Sequence, residues 1–382
     1  MKRKICITTG TRSEYGLLRP LLKEIKQSKN FELFVIVAGM HLSEKFGNSI
    51  SEIKNDGFKV NFKIKMIPNG NSGYHMAKAL GDGIKQFSNV FKKINPDINL
   101  ILGDRDEALA SALAAYHMNI INAHIHGGDK TRAGLDEYTR HAITKISNIH
   151  FAVSKKSKSR IIKLGENPKY VFLTGSPSID EIKANKITSK VTLQKKFGLS
   201  LNGDEIILLQ HPVTTQTKLS HFQILETMKA ISLLKKPTIS IFPNSDAGHE
   251  DIFKIQKQFS KKYSFIKNYR NIPRSDFLGL LKHCGVLVGN SSSGIIEGSY
   301  FNIPVVNIGS RQENREGGKN IINVTVHNHS LIYDSIVKAL NTKQKKFKNH
   351  FIYGHGNASK KITKILSTIK LDENLLEKQI NY

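Results

Sequence analysis

Short apolar runs alternate with amphipathic stretches along most of the chain. Lys4–Thr9, Phe31–Ala38, Asn99–Leu102, Ile120–His124, Ile149–Val153 and Tyr170–Leu173 read as strands. Leu17–Ser28 and Ala108–His117 have helical spacing, and a basic helical stretch lies between the last two strands. A second rhythm starts near Glu205. Ile206–Gln210, Thr238–Phe242, Phe265–Lys267, Val286–Val288 and Val305–Asn307 are its strands, with helices expected at Ser220–Leu234, Phe277–His283 and Ser293–Tyr300. Asp180–Gly203, between the two rhythms, is polar, lysine-rich and without a strand pattern. The alternation predicts an α/β protein with two doubly wound, Rossmann-like domains. The expected division is 1–180 and 181–365, with 366–382 as a C-terminal segment. Ligands in such folds bind outside the carboxyl ends of the strands, so a cleft between the two domains is the expected site.

Composition adds exclusions. The chain has 382 residues, 39% of them hydrophobic and 23% charged, as in globular domains able to bury a core without staples. No uncharged apolar stretch is long enough to span a membrane. Met1-Lys-Arg-Lys-Ile-Cys-Ile7 runs directly into a strand pattern, unlike a secretory leader. Two cysteines, Cys6 and Cys284, make no disulfide framework or zinc ribbon, and the expected location is the cytoplasm. Lys+Arg is 58 against Asp+Glu 31, a formal net charge of +27. Such a charge suits polyanions. The lysines are nevertheless scattered over polar helix faces, with no aromatic–basic interleaving, so neither nucleic acid nor a membrane is an expected partner.

The loops after the strands hold the chemistry. Thr9-Gly-Thr-Arg-Ser-Glu-Tyr-Gly16 offers a tight turn, Ser13 as a helix cap, and Arg12 with backbone N–H groups for an anion. A plain strand-to-helix turn fits it equally. Gly103-Asp-Arg-Asp-Glu107 places carboxylates where a buried strand opens, as acid/base candidates or as charges that complement a helix N-terminus. In His124-Ile-His-Gly-Gly-Asp129, strand alternation puts both imidazoles on one face. A metal there needs a third ligand such as Asp129, and the spacing supports it weakly. Asp136 and Glu137 open a helix carrying Arg140 and His141. His211 precedes a proline at a strand end, and Phe242–Gly248 is another strand-end loop. Gly289-Asn-Ser-Ser-Ser-Gly-Ile-Ile-Glu-Gly298 joins a strand to a helix start. It suits a pyrophosphate, with Glu297 placed for ribose hydroxyls; it is neither a Walker A nor a GxGxxG motif.

In this order, the Thr9–Gly16 motif, Gly103-Asp-Arg105, His124–Asp129, Arg140-His-Ala-Ile-Thr-Lys145, Gln210-His-Pro-Val-Thr-Thr215, Gly289-Asn-Ser-Ser292, Asn307-Ile-Gly-Ser-Arg311 and Tyr353-Gly-His-Gly-Asn-Ala358 closely resemble the hydrolysing UDP-N-acetylglucosamine 2-epimerases. That family includes bacterial sialic- and legionaminic-acid pathway enzymes. The resemblance implies the glycosyltransferase-B type of fold, with Leu371–Gln379 as a helix returning to the first domain. It implies a UDP-sugar substrate, no cofactor, no metal, and a homo-oligomer, either dimer or tetramer. The implied reaction removes the C2 proton, expels UDP through a 2-acetamidoglycal, and adds water to give N-acetylmannosamine.

By the same resemblance, Asp104, Asp136 and His211 fall at catalytic positions. Arg12, Ser13, Arg105, Ser291, Ser292, Glu297 and Arg311 fall at substrate- or nucleotide-binding positions. The second proton-transfer group is either His126 or Asp129, because family members differ there. UDP-N,N′-diacetylbacillosamine is the alternative substrate. A retaining glycosyltransferase and a non-catalytic sugar-nucleotide sensor are the readings from other classes; the acids favour an enzyme.

Overall fold

The computed structural model describes residues 2–44, 49–70, 72–132, 134–184, 187–342, 347 and 351–381. The chain divides into two compact units. The first comprises Met1–Lys130, Asp136–Ala184 and Tyr353–Tyr382; the second comprises Thr131–Leu135 and Asn185–Ile352.

The first unit holds a seven-stranded parallel sheet: β1 (Arg3–Thr9), β2 (Phe31–Ala38), β3 (Val60–Ile64), β4 (Ile98–Leu102), β5 (Ile121–Ile125), β6 (Ile149–Ala152) and β7 (Val171–Leu173). The strand order is β3-β2-β1-β4-β5-β6-β7, so the winding reverses between β1 and β4, where Ile5 pairs with Ile98. Alternation along β1 sends side chains to two cores. Ile5 and Ile7 pack with Leu18, Leu22, Val35 and Phe151. Cys6 packs on the other face with Ile36, Phe87, Phe91 and Ala114. Such central strands, covered on both faces, read as continuous apolar runs.

The second unit repeats the plan with β8 (Ile206–Leu209), β9 (Thr238–Ile241), β10 (Ile266–Tyr269), β11 (Val286–Gly289), β12 (Val305–Ile308) and β13 (Ile321–Val324). Its parallel order is β10-β9-β8-β11-β12-β13, reversing between β8 and β11. Ile206, Leu208, Val286, Val288, Val306 and Ile308 bury one sheet face under Ile224, Met228 and Ile231 of the helix Ser220–Leu234.

The boundaries differ from those expected at 180 and 365. The C-terminal segment joins the first unit from Tyr353 because it is tied to the residues before Ala184. Ser176 N–H donates to Tyr353 C=O at 2.8 Å. Both carboxylate oxygens of Asp180 accept from the N-terminus of the helix Ala358–Thr368, from Ala358 N at 2.9 Å and Ser359 N at 2.6 Å. That helix buries Ile362 and Leu366 in the β1 core. Within the expected helix Leu371–Gln379, only Glu373–Leu376 is helical. Lys145, the last residue of the Arg140–Lys145 motif, serves this docking too. It pairs at 2.8 Å with buried Glu166, which also meets Lys378 at 2.7 Å and His150 at 3.1 Å. Burial pushes the Glu166 carboxyl up, but hydrogen bonds from His150, Lys145 and Lys378 outweigh it and hold the pKa at about 2.

Candidate active site

The candidate residues of the first unit follow β1, β4 and β5; those of the second follow β8, β11 and β12. In each unit they gather at the carboxyl ends around the reversal of strand order, where open α/β sheets take ligands.

After β4, Gly103 adopts φ +76° and turns the chain, so Asp104 leaves the sheet half-buried. Arg140, in the helix Leu135–Lys145, is 1% exposed and organises this end. Its Nε donates to Asp104 Oδ2 at 2.8 Å, and its Nη2 meets the same oxygen. Its Nη1 donates to Glu137 Oε2 at 2.6 Å and to the Asp129 carbonyl at 3.0 Å. One buried guanidinium thus ties the β4 loop to the β5 loop and charge-compensates Asp104. Asp136 sits in the first turn of the same helix, half-buried.

The alternation expected across His124–His126 stops at Ile125, where β5 ends. His124 remains in the strand. Its Nε2–H donates to the Gly103 carbonyl at 2.8 Å, and Nδ1 lies 3.2 Å from Thr144 Oγ1. Burial lowers its pKa to about 3, so it is a neutral positioning group for the Gly103–Asp104 turn. His126 adopts φ +69°, a left-handed conformation uncommon outside glycine. That twist directs its ring to other partners: Nδ1 lies 3.3 Å from Asp129 Oδ2 and Nε2 lies 2.9 Å from Ser176 Oγ. Asp129 Oδ1 accepts from Ser157 Oγ at 2.7 Å. His126 and Asp129, 5% and 3% exposed, therefore form one buried hydrogen-bonded unit. Among the described residues, no group of three or more His, Cys, Asp or Glu side chains is placed to hold a metal ion.

The β1 loop differs from expectation. Thr11, rather than Ser13, caps the helix Arg12–Gln27: its Oγ1 accepts from Glu14 N–H at 3.2 Å, while Ser13 Oγ lies 3.0 Å from Thr11 Oγ1. Of the loop's backbone N–H groups, expected to suit an anion, that of Gly10 donates to Glu14 Oε2 at 2.7 Å. Gly10 is required because Glu107 crosses it: a Cβ there would stand 2.5 Å from Glu107 Cδ. Burial, reinforced by the neighbouring Glu107 carboxyl, pushes Glu14 up to about 8. Arg105 Nε donates to Glu107 Oε2 at 3.1 Å, and Arg12 pairs with Glu52 at 2.6 Å.

In the second unit, Asn290 clamps the backbone of His211. Its Oδ1 accepts from His211 N–H at 2.7 Å, and its Nδ2 donates to the His211 carbonyl at 2.9 Å. This bridges the ends of β8 and β11 and fixes where the imidazole emerges. His211 Nδ1 accepts from Asn244 N–H at 3.3 Å, which gives the Phe242–Gly248 loop a positioning role. Arg311 Nη1 donates to the Asn290 carbonyl at 3.3 Å. Ser291 caps the helix Ser292–Phe301, and Ser292 is its first residue. Gly294, where a Cβ would stand 3.0 Å from Leu287 Cδ2 and Val305 Cγ1, brings this helix close to its sheet. A helix N-terminus so placed favours an anion. Glu297 is 1% exposed and accepts from Arg274 Nη2 at 2.7 Å.

Sequence patterns singled out neither Arg274 nor Ser176, and took Glu14 and Asn290 only as parts of motifs. The partners of Arg274, Ser176 and Asn290 lie far along the chain or depend on a local twist, so no spacing announces them.

Residues 23–367 match the family model described as UDP-N-acetylglucosamine 2-epimerase. The hydrolysing UDP-N,N′-diacetylbacillosamine 2-epimerase of Legionella pneumophila is 37% identical over 99% of each chain. The UDP-N-acetylglucosamine 2-epimerase of Neisseria meningitidis serogroup B is 35% identical, covering 89% of this chain and 88% of that one. Among solved structures, Methanocaldococcus jannaschii UDP-GlcNAc 2-epimerase, in complex with UDP-GlcNAc and UDP, superposes with a TM-score of 0.79. It is 20% identical, covers 95% of this chain and 99% of that one, and shares the expected fold of two Rossmann-like domains. The chain belongs to the hydrolysing UDP-N-acetylglucosamine 2-epimerase family.

Proposed function

We propose that this enzyme converts a UDP-linked 2-acetamido-2-deoxy sugar and water into UDP and the free C2 epimer, a mannosamine-type precursor of a nonulosonic acid. The observation that carries this reading is the Arg140-held Asp104, together with the His126–Asp129 unit bound to the same guanidinium through the Asp129 carbonyl. A sensor or a simple transferase has no use for proton-transfer groups so deliberately positioned.

In this reading a base among Asp104 and Asp136 takes the C2 proton. The electron pair forms the C1–C2 double bond as the C1–O bond to UDP breaks. Water then adds at C1 while the His126–Asp129 unit delivers a proton to the opposite face of C2. His211 acts near the departing phosphate. Ser291, Ser292 and Arg311 hold the pyrophosphate with the helix N-terminus behind them, and Glu297 takes the ribose. Arg12, Ser13 and Arg105 bind the substrate. No cofactor or metal takes part.

UDP-N-acetylglucosamine is the first substrate proposed. The end-to-end match to the Legionella enzyme favours UDP-N,N′-diacetylbacillosamine as the second. Incubation with each nucleotide, followed by ¹H NMR of the sugar, tests both. Free manno-configured sugar appearing with equimolar UDP from one of them supports the reading. A product still attached to UDP, or sugar released only when an acceptor is added, contradicts it.

A further inference from the structure

We propose that Arg274 is a positioning residue of the nucleotide site: it occupies one oxygen of Glu297 and thereby presents the other to a ribose hydroxyl. The inference rests on the reading of Glu297 as the ribose acceptor and adds the group that makes it one.

Arg274 opens the helix Arg274–His283 directly after Pro273, and it is 6% exposed. Its Nη2 donates to Glu297 Oε1 at 2.7 Å, while Glu297 Oε2 is buried with no hydrogen-bond partner. A buried ion pair that serves stability alone satisfies both carboxylate oxygens, commonly through a two-pronged Arg contact. An orphaned buried acceptor is costly and calls for a donor from outside the protein. A ribose diol is such a donor. The backbone beneath Glu297 is fixed by the close approach of Gly294 and Gly298 to Val305, where added Cβ atoms would stand 3.0 and 3.1 Å from its methyls. Only the side-chain torsions remain to be set, and the rigid guanidinium sets them.

Calorimetry on the full chain with UDP and 2′,3′-dideoxy-UDP tests this. Wild type should prefer UDP by roughly tenfold or more, the ratio expected for a charge-assisted hydrogen bond. Arg274→Met should bring the ratio to within about threefold of unity while leaving dideoxy-UDP affinity nearly unchanged, a split that general loosening does not produce. Should Arg274→Met fail to fold, Arg274→Lys answers: its single ammonium holds the carboxylate less firmly, so the ratio should fall at least threefold. A wild-type ratio in either folded variant overturns the role of Arg274, provided Glu297→Gln abolishes the preference. Absence of any preference in wild type overturns the ribose reading of Glu297 itself.

Discussion

Arg140 and Asp104, 36 residues apart, share a two-pronged contact in which Nε and Nη2 both reach Asp104 Oδ2. The carboxylate is held on one side by a buried cation whose remaining donors go to Glu137 and the Asp129 carbonyl. Asp104 therefore has a fixed direction before substrate arrives, which shortens the search for a reactive geometry.

Two substitutions separate holding from chemistry. Asp104→Asn preserves shape but exchanges no proton near neutral pH, so kcat should fall by roughly 10²–10⁴ with UDP affinity nearly constant. Arg140→Lys keeps the charge but loses the fork, and kcat should fall about tenfold or more. Steady-state kinetics with calorimetric UDP titration checks both. Normal turnover in Asp104→Asn removes it from the chemistry.

His126 and Asp129 hydrogen-bond to each other and are each held by a serine, Ser176 and Ser157. Groups that act as one unit show non-additive losses. His126→Gln and Asp129→Asn should each lower kcat, and the double variant should be no slower than the slower single variant by more than about threefold. Multiplying losses would mean independent roles.

Glu14 provides a test in pH. Its pKa is raised from the ordinary 4.5 to about 8, so the folded chain keeps a proton that the unfolded chain releases. Folded binding exceeds unfolded binding across that window, and stability contributed by Glu14 falls as pH rises from about 4.5 towards 8. Glu14→Gln carries no such proton. Between pH 5.5 and 8.5 its stability relative to wild type should improve by about 1–3 kcal/mol, measured by urea unfolding. Parallel pH profiles for the two proteins would show that Glu14 ionises normally.

Central strands were legible because burial on both faces makes them uninterrupted apolar runs; β2 and the helix Ser220–Leu234 match their expected bounds. Of the four edge strands, β7 and β10 were legible as Tyr170–Leu173 and Phe265–Lys267, and β3 and β13 were not. Val60-Asn-Phe-Lys-Ile64 at one edge and Ile321-Ile-Asn-Val324 at another mix polar residues into short runs and look like loops. The helix Gly73–Ile94 was hidden by its glycines. Gly83 is there for contact, since a Cβ would stand 2.8 Å from Met66 Sδ, yet in sequence it reads as a helix breaker. In the site, the motifs located the loops, while the assignments within them depended on folding. The Thr11-Arg-Ser-Glu14 spacing of a capping box marks Thr11 rather than Ser13 as the cap, but nothing in the residue order foretells the left-handed twist at His126 that turns its ring to Asp129.

The central claim is that C2 loses its proton to the enzyme while UDP departs. Turnover of the accepted UDP-sugar in D₂O, with the released sugar read by ¹H NMR and mass spectrometry, tests it most directly. One deuterium is expected at C2 of the free manno-configured product, with no added NAD or metal. Product that retains the original hydrogen at C2 would contradict elimination through a glycal and, with it, the proton-transfer roles given to Asp104, Asp136, His126 and Asp129.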